Sequence, residues 1–251
     1  MDGPVARTVR PARQQRFDLK PGRVLAGGYV VHSYLGGGWE GEVYRVVERK
    51  TGIHRAAKLF YPHRNRHDRA VRFYANKLER LRGCPIITQY HHSGTVRVRG
   101  ESITCMISEL VEGELLSRFV ARQPGRRLPA FEALHILYAL AQGLAEIHAR
   151  REYHGDIHDD NILVRRRGVF FEVKLVDFFY LGAATTGKIR DDMIQLVRVL
   201  YDIVGGRRYY SRQPEPVRYI CCGLRHSLIV RRFPTAARLR DYLEQFEWPK
   251  T

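Results

Sequence analysis

Three short segments of the 251-residue chain gather side chains that can handle a polyphosphate, a cation and a hydroxyl proton. The densest is Tyr153-His154-Gly155-Asp156-Ile157-His158-Asp159-Asp160-Asn161, with three carboxylates, two imidazoles and an amide within eight positions. Asp156 can accept a hydroxyl proton, and Asn161 can offer an amide oxygen to a hard cation such as Mg²⁺. Thirteen residues beyond Val164, Lys174-Leu175-Val176-Asp177-Phe178-Phe179 delivers another carboxylate at the end of an apolar strand, a placement that suits a metal ligand. Upstream, Leu35 to Val43 contains the pattern G-x-G-x-x-G-x-V, carried by Gly36, Gly38, Gly41 and Val43, between two predicted strands. Glycines there let the backbone approach a polyphosphate without Cβ atoms in the way. Fifteen residues after Val43, Ala56-Ala57-Lys58 sets a lysine in an apolar strand, where it can neutralise phosphates.

Two other chemistries compete for these residues. His154 and His158 stand four apart, a spacing that brings two metal ligands together on a helix. Here they flank Gly155 in a predicted loop with no cysteine nearby, which argues against a transition-metal site. A dinucleotide fingerprint needs a helix directly after its last glycine. Glu42 to Val47 reads as strand, which rejects it.

The scaffold that must hold these residues divides in two. Strands are expected at 29–35, 41–47 and 54–61, then a helix from a capping Asp68 to about Arg82, stopped by Gly83 and Pro85, then strands near 87–91 and 103–109. Beyond Val111 the pattern turns helical. Leu134, Leu137, Ala141, Leu144 and Ile147 recur at helical spacing within 128–150. Short strands follow at 162–164 and 171–176, then helices near 191–204, 217–224 and 235–246. A small β-rich lobe and a larger helical one leave a cleft between them, where ligands usually sit. The predicted organisation is a basic flexible tail over 1–22, a first lobe over 23–110 and a second over 111–251.

Composition narrows the class. Hydrophobic residues make 44% and charged residues 27%, a globular mix that excludes wholesale disorder. No apolar run approaches the ~20 residues of a membrane span, and Met1 to Lys20 lacks the apolar centre of a signal peptide. Cys84, Cys105, Cys221 and Cys222 show no C-x-x-C spacing and read as reduced thiols, so a cytoplasmic protein without membrane association is expected. The net charge of +17 comes mostly from arginine, since only seven of the 43 basic residues are lysine. Arginine suits phosphate and stacked bases, but these arginines are scattered, so a solvated basic surface is favoured over a nucleic-acid partner.

In order and spacing, the motifs resemble the protein-kinase-like fold, and specifically the bacterial relatives of eukaryotic Ser/Thr protein kinases. The resemblance runs from about Gly28 to Phe246. It implies an α+β, bilobal architecture, with a small antiparallel β N-lobe carrying one helix and a larger helical C-lobe. It also implies ATP and Mg²⁺ as cofactors and a protein hydroxyl as acceptor. Gly36, Gly38 and Gly41 would cover the ATP phosphates, and Lys58 would bind the α- and β-phosphates. Ser108 to Gly113 resembles the hinge that bonds adenine through its backbone, which puts Glu109 and Val111, with Val43 and Ala56, in the nucleotide-binding set. Asp156 would be the catalytic base, with His158 as a donor to the γ-phosphate, and Asn161 and Asp177 would hold Mg²⁺. Asp192, at the expected start of the central C-lobe helix, would fasten the catalytic loop.

The departures bear on activity. Lys58 should pair with a glutamate of the following helix, where Glu79 is the only one and falls later than the usual register near Asn76. Gly155 replaces the arginine that would receive an activation-loop phosphate. Phe179 stands where a D-F-G motif has its glycine. Only fourteen residues separate Asp177 from Asp192, without an A-P-E sequence. Arg232, which would pair with that glutamate, needs another partner. H-G-D-x-H also resembles small-molecule phosphotransferases of the aminoglycoside type. Three readings therefore stand beside the protein kinase: a small-molecule kinase, a pseudokinase scaffold, and a nucleic-acid-associated protein using the arginine surface.

Overall fold

The β-branched and aromatic runs of the first hundred or so residues form one antiparallel sheet in the computed structural model, which describes residues 16–178 and 182–247. Its strands are β1 (Val24–Leu25), β2 (Tyr29–Gly37), β3 (Gly41–Glu48), β4 (His54–Phe60), β5 (Tyr90–Val98) and β6 (Glu101–Glu109), in the order β1-β2-β3-β4-β6-β5. The period of two sorts each strand. Tyr44 and Val46 on β3, and Ala57 and Leu59 on β4, bury one face in a core with Leu25, Val31, Ile103 and Ile107. Lys58 therefore points to the opposite face. Val43 stands across from Lys58, and Ala56 across from Ser108.

The segment expected as flexible tail departs from that expectation over 16–22. Phe17 is buried, with its ring centroid 5.0 Å from that of Tyr61. Its N–H donates to Glu42 Oε1 at 3.0 Å, and Gly22 N–H donates to Val31 O at 2.9 Å. An aromatic side chain at the edge of the sheet core outweighs the polar, proline-marked texture around it. Residues 1–15 lie outside the described residues.

Helix α1 (Arg69–Arg80) packs on the Lys58 side of the sheet. Its cap is not the expected one. Asn65 Oδ1 accepts from Ala70 N and Val71 N at 3.1 and 3.2 Å, while Asp68 is left-handed (φ +57°) and takes the Thr104 hydroxyl at 2.6 Å.

Residues 110–113 lead into the helical part. It comprises β7 (Glu114–Leu115), α2 (Leu116–Ala121), α3 (Ala130–Ala149), β8 (Ile162–Arg167), β9 (Phe170–Leu175), α4 (Thr186–Ile203), α5 (Gly206–Tyr209), α6 (Glu215–Cys221), α7 (His226–Arg232) and α8 (Ala236–Gln245). Strands β7, β8 and β9 form a second small sheet. All five periodic residues of α3 are buried against α4 and its neighbours. Helix α4 begins a turn and a half before the expected 191, because Thr185 Oγ1 accepts from Lys188 N and caps it. Of the strand expected at 87–91, only Tyr90 and His91 are strand, at the start of the longer β5. Ile87 itself bridges Leu175.

Arg232 finds its partners within the helical part. Its guanidinium lies 3.7 Å from the Tyr219 ring centroid and donates to Tyr219 O at 2.6 Å. The four cysteines are unpaired. No described helix is long and apolar enough to cross a membrane.

Candidate functional site

Lys58 is the centre of the cleft. Nζ donates to Asp177 Oδ1 at 2.6 Å and to Glu40 Oε2 at 2.8 Å, and lies 3.3 Å from the Tyr74 hydroxyl. Burial opposes the charge on this lysine. The Asp177 carboxylate, aided by Tyr74 and Glu40, outweighs burial and holds the ammonium above the ordinary lysine range. Glu79 takes no part. It is exposed and pairs with Arg82 at 2.5 Å. The helix phase explains this: Val71, Tyr74 and Leu78 share the buried stripe, and Glu79 stands about 100° around from Leu78. Neither Asn76, near the expected register, nor Glu79 faces the lysine; Tyr74 is the α1 side chain that meets it, and the carboxylate comes from the glycine-rich hairpin.

The loop after α3 is held from behind. Asp192, fully buried on α4, accepts from His154 N at 2.8 Å and Gly155 N at 2.7 Å, and lies 3.0 Å from His148 Nε2. This is the expected anchoring, although Asp192 sits inside α4 and not at its start. His154 is also fully buried. Its Nε2 lies 3.0 Å from Val176 O, and its Nδ1 accepts from Asp156 N at 3.3 Å. A neutral ring satisfies both contacts, and burial pushes its pKa down to about 4. These commitments remove His154 as a metal ligand beside His158. A different group, His158, Asp159 and Asp160, has ligand atoms within 4.8 Å of one another. Exposed carboxylates commonly cluster in this way.

Asn161 bonds to Asp156, Asp177 bonds to Lys58, and a backbone bond next to Asp177 brings the two pairs together. Asn161 Nδ2 donates to Asp156 O at 2.9 Å and lies 3.1 Å from Asp156 Oδ2 and 2.9 Å from His158 Nε2. Those contacts direct Oδ1 of Asn161 elsewhere, available to a cation. Asn161 O accepts from Val176 N at 3.0 Å, which places Asp177 beside it. His158 Nε2 is 3.5 Å from Asp156 Oδ2, and both side chains are about half exposed (45% and 46%). Asp177 is left-handed at φ +57°, a strained setting for a residue with a side chain. Half of its side-chain surface faces the cleft, yet surrounding atoms still penalise its charge. Lys58 more than offsets that penalty and holds its carboxyl below the usual carboxylate range. Oxygen donors from Asn161 and Asp177, next to a half-exposed Asp156, are the donor set that Mg²⁺ prefers. Phe179 lies outside the described residues.

The glycine-rich hairpin approaches β4 closely at one point. A Cβ on Gly41 would fall 1.9 Å from Leu59 O, so only glycine fits. A Cβ on Gly36 or Gly38 would meet nothing within 4 Å. Across the cleft, Glu109 ends β6. Its N–H donates to Gln89 O at 2.8 Å, and its carboxylate takes Lys174 Nζ at 3.0 Å. Val111 follows in the linker. A cavity of about 470 Å³ touches Glu109 and Val111, but from the other side, against Ile86, Gly143 and Lys174. None of Lys58, Asp156 or Asp177 lines it, so it is separate from the cleft.

Sequence reading missed Glu40, Tyr74 and Lys77. An acidic side chain in a hairpin meant to cover phosphates was the available signal for Glu40. Tyr74 was legible from the inward stripe of α1. Lys77 is wholly buried, with Nζ over the rings of Tyr153, Phe178 and Phe73 and 3.8 Å from Glu152 Oε2.

A two-lobed arrangement with a lysine on the sheet, an anchored Asp–Asn loop and a strand-end aspartate defines a class, and comparison with known proteins agrees. The sequence model of the protein kinase domain matches residues 29–219, and the chain belongs to that family. It is 32% identical over 160 residues to serine/threonine-protein kinase pkn2 of Myxococcus xanthus, covering 62% of this chain and 18% of that protein. It is 29% identical over 160 residues to serine/threonine-protein kinase PknA of Mycobacterium tuberculosis, covering 62% of this chain and 36% of that protein. The chain thus spans well under half the length of these relatives. In fold it is similar to the crystal structure of the Mycobacterium tuberculosis PknI kinase domain, with a TM-score of 0.67 and 22% identity over 90% of this chain and 99% of that one.

Proposed function

We propose that the chain is an ATP- and Mg²⁺-dependent phosphotransferase that acts on Ser or Thr hydroxyls of a protein, with Asp156 as its base. The observation that carries this reading is the meeting of two side-chain pairs, Lys58–Asp177 and Asn161–Asp156, which the backbone bond from Val176 N to Asn161 O brings side by side. Lys58 would take the α- and β-phosphates, and Asn161 with Asp177 would hold Mg²⁺, which when bound offsets charge on the phosphate oxygens. Asp156 orients the acceptor hydroxyl and receives its proton as the oxygen attacks the γ-phosphorus of ATP, whose bond to the β–γ bridging oxygen breaks to release ADP. Val43, Ala56, Glu109 and Val111 would hold the nucleoside. His158, beside Asp156, is the candidate donor to the transferred phosphoryl group.

A protein acceptor is supported by the names of the relatives, each described as a serine/threonine-protein kinase. A small-molecule hydroxyl is the second reading. It draws on the short stretch between Asp177 and the Thr185 cap of α4, which leaves little chain to build a peptide platform.

The test is incubation with Mg²⁺ and labelled ATP, alone and with a generic basic protein, beside Asp156→Asn. Label in the wild-type lanes only, with the variant down by about 10²–10⁴ and still binding ATP, supports the assignment. Equal labelling by Asp156→Asn refutes it. Mg²⁺-dependent thermal stabilisation by ATP without label on any protein directs the search to small-molecule acceptors or a non-transferring scaffold.

A further inference from the structure

Glu40 sits where a phosphate would have to come. Its Oε2 accepts from Lys58 Nζ at 2.8 Å and from the Tyr74 hydroxyl at 2.7 Å, and only 19% of its side chain is exposed. The backbone around it is tied down. Glu40 O accepts from Tyr61 N at 2.8 Å, Gly38 N donates to Gly41 O at 2.9 Å, and the Arg64 guanidinium lies 4.5 Å from the Trp39 ring centroid. The hairpin is folded down with the Glu40 carboxylate on the lysine.

Two carboxylates, Glu40 and Asp177, therefore share a single ammonium. A nucleotide phosphate drawn to Lys58 meets the charge of Glu40 at a few ångströms in a cleft that screens poorly, where like charges repel strongly. Both anions cannot hold the same face of Lys58.

We propose that Glu40 is an internal stand-in for a nucleotide phosphate: it satisfies Lys58, latches the glycine-rich hairpin, and is displaced by the α/β-phosphates of a nucleoside di- or triphosphate. This rests on the reading of Lys58 as a phosphate ligand. The exchange leaves no orphaned group. Lys58 trades one anion for another, and the released Glu40 side chain needs only rotation to reach solvent. The Tyr74 hydroxyl, whose one hydrogen faces both Glu40 Oε2 and Phe178 O, then donates to Phe178 O alone, 2.9 Å away. Asp177 stays on Lys58 or turns to a cation. The latch thus discriminates by phosphate and lowers affinity for ADP and ATP, while adenosine, which carries no phosphate, does not contest Lys58.

The experiment is calorimetric titration of adenosine, ADP and ATP, with Mg²⁺ present throughout, into wild type, Glu40→Gln and Glu40→Ala. Glutamine keeps the shape and the hydrogen bonds of Glu40 and removes its charge. The expected result is ADP and ATP binding about tenfold tighter in Glu40→Gln, the same direction in Glu40→Ala, and adenosine unchanged within about twofold. Adding Lys58→Met to Glu40→Gln should abolish the gain in ADP and ATP affinity. Thermal unfolding of each variant checks that it is folded.

Unchanged or weaker ADP binding in both Glu40 variants, with adenosine still bound, overturns the latch and makes Glu40 an orienting partner of Lys58. An equal gain for adenosine also overturns it, since the gain would not come from phosphate. Failure of wild type and both variants to bind any of the three ligands at millimolar concentration sinks the nucleotide reading itself.

Discussion

The hydroxyl of Tyr74 on α1 lies 2.9 Å from the carbonyl oxygen of Phe178, a bond across 104 residues that ties the helix of the sheet lobe to the end of the Asp177 segment. A glutamate would have tied the helix to Lys58 by charge; Tyr74 ties it by a neutral bond to backbone as well. Tyr74→Phe keeps the ring and deletes this bond together with the one to Glu40 Oε2. It leaves the Phe178 carbonyl unpaired in a buried place, which costs about 1–3 kcal/mol. The melting temperature should fall by several degrees. An unchanged melting temperature would show that the hydroxyl contributes nothing to docking α1.

Lys77 makes stability depend on pH in a way that can be isolated. Burial pushes its pKa down to about 8, against an opposing pull from Glu152 and Asp192, with Arg80 and Lys188 adding to the push. The unfolded chain keeps this lysine near 10.4. Below pH 8 it is charged in both states, and the full penalty for burying the charge, about 3 kcal/mol by linkage, weighs on the fold. Between about 8 and 10.4 the folded protein releases the proton while the unfolded chain holds it, so the penalty fades as pH rises. Lys77→Met keeps an unbranched side chain, one atom shorter, and removes the titration. The melting temperature of Lys77→Met relative to wild type should therefore be most favourable to the variant below pH 8 and shift towards wild type by pH 10. A gap that does not vary with pH would mean that the three surrounding rings hold the ammonium charged throughout.

Much of the fold was legible because each motif carries its own local signal. A glycine pattern between β-rich runs has to be a hairpin, and the five-residue stripe of α3 has one buried face. Cap-dependent boundaries were harder. The α1 boundary depends on Asn65 taking over from Asp68, and the early start of α4 depends on Thr185, neither of which alters hydrophobic periodicity. Glu79 failed as the lysine's partner for a geometric reason: helix phase is fixed by packing, so a count of glutamates in a helix says nothing about which face they share. Phe17 shows the converse, a single aromatic in polar surroundings that docks because the sheet edge has room for it.

Asp192 is the residue whose change should affect the His154–Asn161 loop without touching a ligand. Its two oxygens take three contacts from His154, Gly155 and His148. Asp192→Asn turns an NH₂ towards one of those donors, so one backbone N–H in the interior loses its acceptor. The expected loss is roughly 2–4 kcal/mol, with phosphoryl transfer reduced by more than ATP binding is. Asp191→Asn, at the exposed neighbouring position, is the control and should behave as wild type. Equal behaviour of the two variants would remove Asp192 from the positioning of the loop.

Asp177 and Asp156 should separate cleanly in a binding assay. Asp177 is bonded to Lys58 and sits beside Asn161, so Asp177→Asn removes an anionic oxygen from the set proposed for Mg²⁺ and one of the two carboxylates that neutralise Lys58. Binding of ATP should lose most of its Mg²⁺ dependence, and affinity in the presence of Mg²⁺ should drop by about tenfold or more. Asp156 touches Asn161 and His158 but not Lys58, so Asp156→Asn should leave that dependence nearly intact while transfer disappears. Titration of ATP with and without Mg²⁺ into both variants is the measurement. If Asp177→Asn keeps the full Mg²⁺ effect and Asp156→Asn loses it, the two carboxylates have exchanged roles, and Asp156 becomes the metal ligand.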